Sequence, residues 1–209
     1  MSTIAAKDVM ALREKTGLGM MDCKKALQEN SGDMNAAESW LREKRKGKMD
    51  TRTERTTGEG RIGVAIDGSK AAIIELQTET DFTAKTDAFL AATDAVADLA
   101  LALDGGDITP TDDMNKYVDD LRITTGENVN FARGRRLDGG SYGVYIHHDG
   151  KRACLLQVEG TADADALKGI CQHIVFHDPL GIDADDVPAD KIESIREAAL
   201  AEAKDSGKN

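Results

Sequence analysis

The sequence has no apolar run approaching the ~20 residues of a membrane-spanning helix, and Met1-Ser2-Thr3-Ile4 does not open a signal peptide. No membrane partner is therefore expected. Cysteine is scarce and odd in number: Cys23, Cys154 and Cys171 form no CxxC pair. That usage fits reduced thiols in a cytoplasmic setting better than a disulfide framework. There is no G-x-x-x-x-G-K-[ST] loop and no G-x-G-x-x-G turn, so the chain carries no phosphate cradle of its own. No Ser/His/Asp or Cys/His set can be placed, and neither a catalytic residue nor a cofactor is assigned. Cations are few in the main body. Residues 1–57 hold 12 Lys+Arg against 9 Asp+Glu, the remainder holds 15 against 29, and the net charge is −11. An acidic body argues against broad nucleic-acid binding, because phosphate contacts need clustered cations.

What is present describes an ordinary folded chain of 209 residues, 40% hydrophobic and 31% charged. That length can bury a sizeable core in one or two compact units with a small appendage. Within residues 1–45 three short amphipathic helices can be drawn. The first covers about 6–15, with Val9 and Leu12 on one face and Gly17 as its stop. The second covers about 21–29 and buries Cys23, Ala26 and Leu27. Asp33 caps the third, whose apolar face is Ala36, Ala37, Trp40 and Leu41. Met20 and Met21 are adjacent and cannot both face so thin a core. One is expected at the surface, as an adaptable contact or as cover for the bundle edge. Residues 46–58 are polar and cationic and read as a linker, more a solvated face than a nucleic-acid contact.

The body beyond is a weak repeat. Arg61-Ile-Gly-Val-Ala-Ile-Asp-Gly-Ser-Lys-Ala-Ala-Ile-Ile-Glu-Leu76 resembles Ser141-Tyr-Gly-Val-Tyr-Ile-His-His-Asp-Gly-Lys-Arg-Ala-Cys-Leu-Leu-Gln-Val158, with Gly63 and Gly143 aligned. Each reads as a strand, a tight Asp-Gly turn and a second strand. Helical patterns follow each hairpin, at 86–103 and 114–124 and then at 163–176 and 188–203. Residues 128–137 alternate well enough to add a strand. The expected fold is α+β: a three-helix module, a linker, and two related sheet-and-helix subdomains at 59–139 and 140–209.

The centre of this organisation is Thr78-Glu-Thr-Asp-Phe-Thr-Ala-Lys85, between the apolar run 71–76 and the alanine-rich helix 86–103. Thr80 or Asp81 is placed to cap that helix. Phe82 has two readings at this point: a ring folded back as a hydrophobic staple, which spacing alone favours, or an anchor presented to a partner. Cys171-x-His173 with His177 is the best metal candidate. The two histidines share a helix face, but a third and a fourth ligand are wanting, so no metal is assigned. Arg133, Arg135 and Arg136 form a basic spot that this acidic body is expected to pair.

Leu12-Arg-Glu-Lys-Thr-Gly-Leu-Gly-Met-Met-Asp-Cys-Lys-Lys-Ala-Leu27 closely resembles the N-terminal signature of the bacterial translation elongation factor Ts family. Glu79-Thr-Asp-Phe82 with Ala84-Lys85 resembles its second signature. Thr125-Gly-Glu-Asn-Val-Asn130 and Tyr145-Ile-His147 are similar to further family segments. The resemblance spans nearly the whole chain. It implies a ubiquitin-associated-like three-helix module, a linker and a two-part α+β core. It further implies guanine nucleotide exchange on elongation factor Tu, in its GDP-bound and nucleotide-free forms, with no catalytic residue, cofactor or metal in the factor itself.

By the same resemblance, positions matching Leu12, Gly17, Met20 and Met21 grip the partner's GTPase domain. Thr80, Asp81 and Phe82 intrude beside its magnesium ion and phosphate loop, and Tyr145 and His147 touch its third domain. This favours a presented Phe82. The physics is linkage: a factor that prefers nucleotide-free partner must weaken GDP by the same ratio. Disturbing the magnesium removes a large local charge from the phosphates. Two departures stand out. Gln77-Thr78 replaces the Asn-Cys more usual before the second signature. The family also normally continues past Lys204–Asn209, so the second subdomain is expected to be shortened, with a homodimer or two-to-two complex as an oligomeric alternative. The competing reading is an adaptor whose module binds a partner without affecting nucleotide. An RNA-associated role resting on residues 42–55 and the arginine spot is disfavoured by the acidic core.

Overall fold

The computed structural model describes residues 4–207, with the side chains of all of these except 48–50 and 184. Residues 1–3 and 208–209 of the expected first and last domains lie outside the described residues. Three helices open the chain, α1 (Ala6–Thr16), α2 (Met20–Glu29) and α3 (Met34–Asp50). Gly17 ends α1 in the left-handed region (φ 68°), its N–H bonded to the Arg13 carbonyl, a conformation that costs glycine little. Asp33 caps α3 by accepting the Ala36 N–H at 2.9 Å. Leu12, Leu18, Cys23, Leu27, Ala37 and Leu41 close a small core. Ala36, expected on that apolar face, is exposed.

Helix α3 runs into the stretch expected as linker. Its Lys/Arg/Glu-rich second half is made of good helix formers, and it leans on a later helix, α6 (Asp112–Thr125). Arg42 pairs with Asp120, Lys46 with Asp119, and Arg45 Nη1 donates to the Ile123 carbonyl at 2.7 Å. The non-helical tether is thus confined to 51–58. It too is fastened: Asn128 Nδ2 donates to the carbonyls of Thr53 and Arg55, and Arg52 Nη1 to that of Gly126.

The first core sheet orders β1 (Glu59–Asp67), β2 (Lys70–Thr78), β4 (Val129–Asp138) and the short β3 (Gly106–Asp107) as β1-β2-β4-β3, antiparallel throughout. A bulge at Ala132 shifts the β2–β4 register between Glu75 and Leu76. Helix α5 (Asp87–Ala100) packs across β1 and β2, and α6 closes one end. Phe89, Val96, Ile74, Leu76, Met114 and Val129 form the heart of this core. Gly63 permits the close approach: a Cβ there would lie 2.9 Å from both the Thr93 carbonyl oxygen and its methyl.

The second sheet is two-stranded, β5 (Ser141–Ile146) and β6 (Ala153–Val158), with α7 (Ala164–His177) packed on it. Its first-strand glycine plays the matching part, since a Cβ on Gly143 would meet Leu167 Cβ at 2.7 Å. The turn, however, is not the tight two-residue loop expected. Residues 147–152 form a longer loop closed by His147 N–H to Arg152 O at 2.8 Å. This length lets the Gly150 carbonyl reach the Ile62 N–H on β1 at 2.9 Å, stitching the two sheets together. The last helix, α8 (Ala189–Asp205), buries no residue. The fold is α+β, as expected, with helices packed on antiparallel sheets.

Candidate partner interface

Between β2 and α5 the chain makes a single helical turn, α4 (Asp81–Ala84). Thr80 precedes it in extended conformation, and its Oγ1 accepts the Thr83 N–H at 3.3 Å. Thr86 then caps α5 by accepting the Phe89 N–H. The expectation that Thr80 or Asp81 caps the long helix is therefore corrected. The chain uses two caps because it turns a corner, and Thr80 serves only the short turn. Thr83 and Ala84 face inward and are buried, which puts Phe82 on the outer side of the turn with 81% of its surface exposed. The staple reading fails here, because Phe82 is the second residue of the turn capped by Thr80, not the residue ahead of a cap where a staple sits, and its ring is exposed. Asp81 pairs with Lys85 at 2.5 Å. That hydrogen bond holds the Asp81 carboxyl below its ordinary range.

The loop after α6 braces this corner. Glu127 Oε2 accepts the Thr78 hydroxyl at 2.8 Å and the Thr80 N–H at 3.0 Å, and Oε1 accepts the Thr80 hydroxyl at 2.7 Å. Burial pushes the Glu127 carboxyl up, but hydrogen bonds from Thr80, Thr83 and Thr78 outweigh it and hold the group below the usual glutamate value. Glu79 accepts the Asn128 N–H at 2.7 Å and pairs with Arg55. Reading the sequence assigned Glu127 no role. Its segment carried a family likeness, and nothing local pairs residues 47 apart.

In the N-terminal module Met20 and Met21 are both exposed, at 51% and 75%, where only one was expected. Helix α2 starts at Met20 and its buried stripe is Cys23, Ala26 and Leu27. Two residues of the first turn can both miss that stripe. Leu12, expected to contact a partner, is wholly buried in the module core. It holds the helices together and does not reach the surface. Gly17 faces α6, with a Cβ there placed 3.2 Å from the Thr124 methyl.

Tyr145 and His147 lie together, the phenol oxygen 3.0 Å from His147 Nδ1. They border a groove of about 340 Å³ also lined by Arg152, His173, Phe176 and His177 and by no carboxylate. Phe176 is 80% exposed. The rings of His173 and His177 lie 4.2 Å apart between centroids, tilted by 38°. Cys171, the proposed companion of these histidines, is buried. Burial and the neighbouring Cys171 thiol push Cys154 up to about 12. Among the described residues no three His, Cys, Asp or Glu side chains gather as a metal site, and no helix is long and apolar enough to cross a membrane. The basic spot is paired as expected: Arg133 with Glu75, Arg135 with Asp107, and Arg136 with Asp138.

The surface features that could meet a partner are thus an exposed ring, an exposed methionine pair and an aromatic–imidazole groove. Residues 79–209 match the sequence model of the family described as Elongation factor TS, and residues 2–48 match that described as Elongation factor Ts, mitochondrial, N-terminal. The chain belongs to the elongation factor Ts family. It is 38% identical to an elongation factor Ts of Xanthomonas campestris pv. campestris (strain B100), over 98% of this chain and 73% of that protein. It is equally similar, at 38%, to an elongation factor Ts of Rhizobium johnstonii, over 100% of this chain and 74% of that protein. As a family member, the chain is a nucleotide exchange factor that works with elongation factor Tu in translation elongation. The stretch between the two matches, residues 49–78, carries the tether and the β1–β2 hairpin that leads into elongation factor Ts's second signature.

Proposed function

We propose that this chain speeds GDP release by inserting Phe82 beside the magnesium and phosphate site of elongation factor Tu. The observation that carries this is the exposure of Phe82, 81%, on a one-turn helix whose Thr83 and Ala84 are buried. A large, stiff ring held out from a braced corner loses little conformational entropy on docking. Asp81 acts beside it as a polar competitor once a partner group displaces Lys85, and Thr80 sets the geometry of both. Met20 and Met21 hold the GTPase domain, with Leu12 and Gly17 shaping the module behind them. Tyr145 and His147 dock the third domain from the second subdomain. The factor engages both GDP-bound and nucleotide-free partner, in the cytoplasm, without touching nucleic acid. Because binding and release are linked, preference for the nucleotide-free form is itself the driving force.

Release of a fluorescent GDP analogue from elongation factor Tu, followed by stopped flow, tests this reading. Phe82→Ala is expected to slow accelerated release by about tenfold or more, the scale of a truncated interface anchor. A correctly folded Phe82→Ala protein with undiminished exchange would falsify the wedge role.

A further inference from the structure

We propose that Glu127 is the positioning residue of the exchange wedge: its carboxylate, delivered by the loop after α6, holds Thr80 so that α4 presents Phe82 in one orientation. The proposal rests on the reading of Phe82 given above. A four-residue helical turn has almost no stability of its own, because nucleation fixes several dihedrals for a single hydrogen bond. What keeps α4 formed must come from outside it. Gly126 ends α6 in the left-handed region (φ 76°), with its N–H on the Arg122 carbonyl, and the next residue turns its side chain onto the end of β2.

The hydrogen bonding there has a direction. A threonine hydroxyl has one hydrogen to donate and lone pairs with which to accept. Thr80 directs its hydrogen to Glu127 Oε1, which leaves a lone pair aimed at the Thr83 N–H. An ionised acceptor strengthens the first bond and polarises the hydroxyl for the second. The same carboxylate takes the Thr80 N–H and the Thr78 hydroxyl, so it grips the strand end and the cap residue at once. Its own N–H is accepted by Thr125 Oγ1. The next residue, Asn128, holds the tether through Thr53 and Arg55. One loop thereby fixes the corner that carries Phe82 and the segment leading from the N-terminal module.

The test uses the full chain, three single variants at the corner, the double variant of the first two, and Phe82→Ala as the reference. Glu127→Gln keeps the shape and removes the charge, Thr80→Val removes the hydroxyl, and Thr80→Ser keeps it. Amide hydrogen exchange of the free protein reads the corner, and the kcat and KM of GDP release from elongation factor Tu read the function. Glu127→Gln is expected to speed exchange of amides 80–84 by about tenfold, the scale of one charge-assisted bond, leaving β1–β2 and the N-terminal module protected. It is expected to lower kcat by a comparable factor with KM nearly unchanged, since the other grip points remain. Thr80→Val should match it, the double variant should be no worse than either alone, and Thr80→Ser, which keeps the hydroxyl, should recover most of the protection and kcat that Thr80→Val loses.

Wild-type protection at 80–84 in Glu127→Gln overturns the proposal. So does a loosened corner with unchanged kcat in an assay where Phe82→Ala is slow. If Glu127→Gln unsettles the whole core, Thr80→Val decides, and wild-type kcat in that variant also overturns it. If Phe82→Ala leaves release undiminished, the wedge reading itself has failed, and the positioning role falls with it.

Discussion

In hairpin β1–β2 the glycine of the first strand lies against Thr93 of α5, and in β5–β6 its counterpart lies against Leu167 of α7. The local design is the same: alternating strands, a glycine where the helix crosses, and a side-chain cap starting that helix or the turn before it. The outcomes differ. The first hairpin gains β4 and β3 at its edge and α6 at its end, and its core excludes water from Phe89, Val96, Leu76 and Met114. The second stays two-stranded, its strand residues other than Gly143 all keep some exposure to solvent, and Leu167 and Cys171 are the buried residues of α7. A hairpin specifies how closely a helix can approach. How much apolar surface is then removed from water depends on what else arrives. The corner that carries Phe82 sits on the better-buried unit, where a projecting ring has a packed base.

The largest effect that could break this comparison is a core truncation. Phe89→Ala is expected to cost about 3–5 kcal/mol and Leu167→Ala about 2, the low end for a site able to collapse onto solvent. Urea unfolding monitored by circular dichroism measures both, and equal costs would remove the contrast. The glycine pair gives the next effect. Gly63→Ala and Gly143→Ala each press a methyl onto a helix and should cost about 1–3 kcal/mol. Hydrogen exchange should show the first loosening the four-stranded sheet and the second confined to β5, β6 and α7. A Gly143→Ala protein as stable as wild type would mean the repeat has lost its structural meaning in the second unit.

The gentlest probe is pH, and it should separate the units by sign. Glu127 has a folded value below the usual 4.5 because hydrogen bonds from three threonines outweigh its burial. Its contribution is present above 4.5 and is lost as pH falls through the lower folded value. Cys154 is raised from 9.0 to about 12 by burial and by the adjoining Cys171 thiol. Its contribution is complete below 9.0 and is lost as pH rises toward about 12. Amide exchange across pH should therefore open the 78–84 corner first in acid and β6–α7 first in alkali. The reverse order, or a single concerted opening at both extremes, would show that the two units respond as one.

Much of this was legible locally. Gly17 as a helix stop, Asp33 as a cap, and Cys23, Ala26 and Leu27 as a buried stripe follow from 3.6-residue periodicity and end chemistry, and the structure has them there. The two hairpins and the added strand follow from alternation. The length of α3 was less legible, because a Lys/Arg-rich stretch reads equally as tether or as solvated helix until α6 is seen to offer Asp119 and Asp120. The exposure of both Met20 and Met21 depended on where α2 begins, a boundary that periodicity places only to within a residue or two. Phe82 was the hardest to read. Spacing alone favoured a folded-back ring, and only the second cap at Thr86 shows that the helix stops short and turns outward.

By itself, then, the sequence determined the α+β class, the three-helix module, the paired hairpins and, through its signatures, kinship with elongation factor Ts. Periodicity, caps and turns act within a few residues, so they can be read in order along the chain. The tertiary structure alone decided that β4 joins β2, that Gly150 reaches across to Ile62, and that Glu127 holds Thr80 from 47 residues away. Those contacts exist because packing brings distant polar groups together where water no longer satisfies them. No local pattern encodes which two will meet.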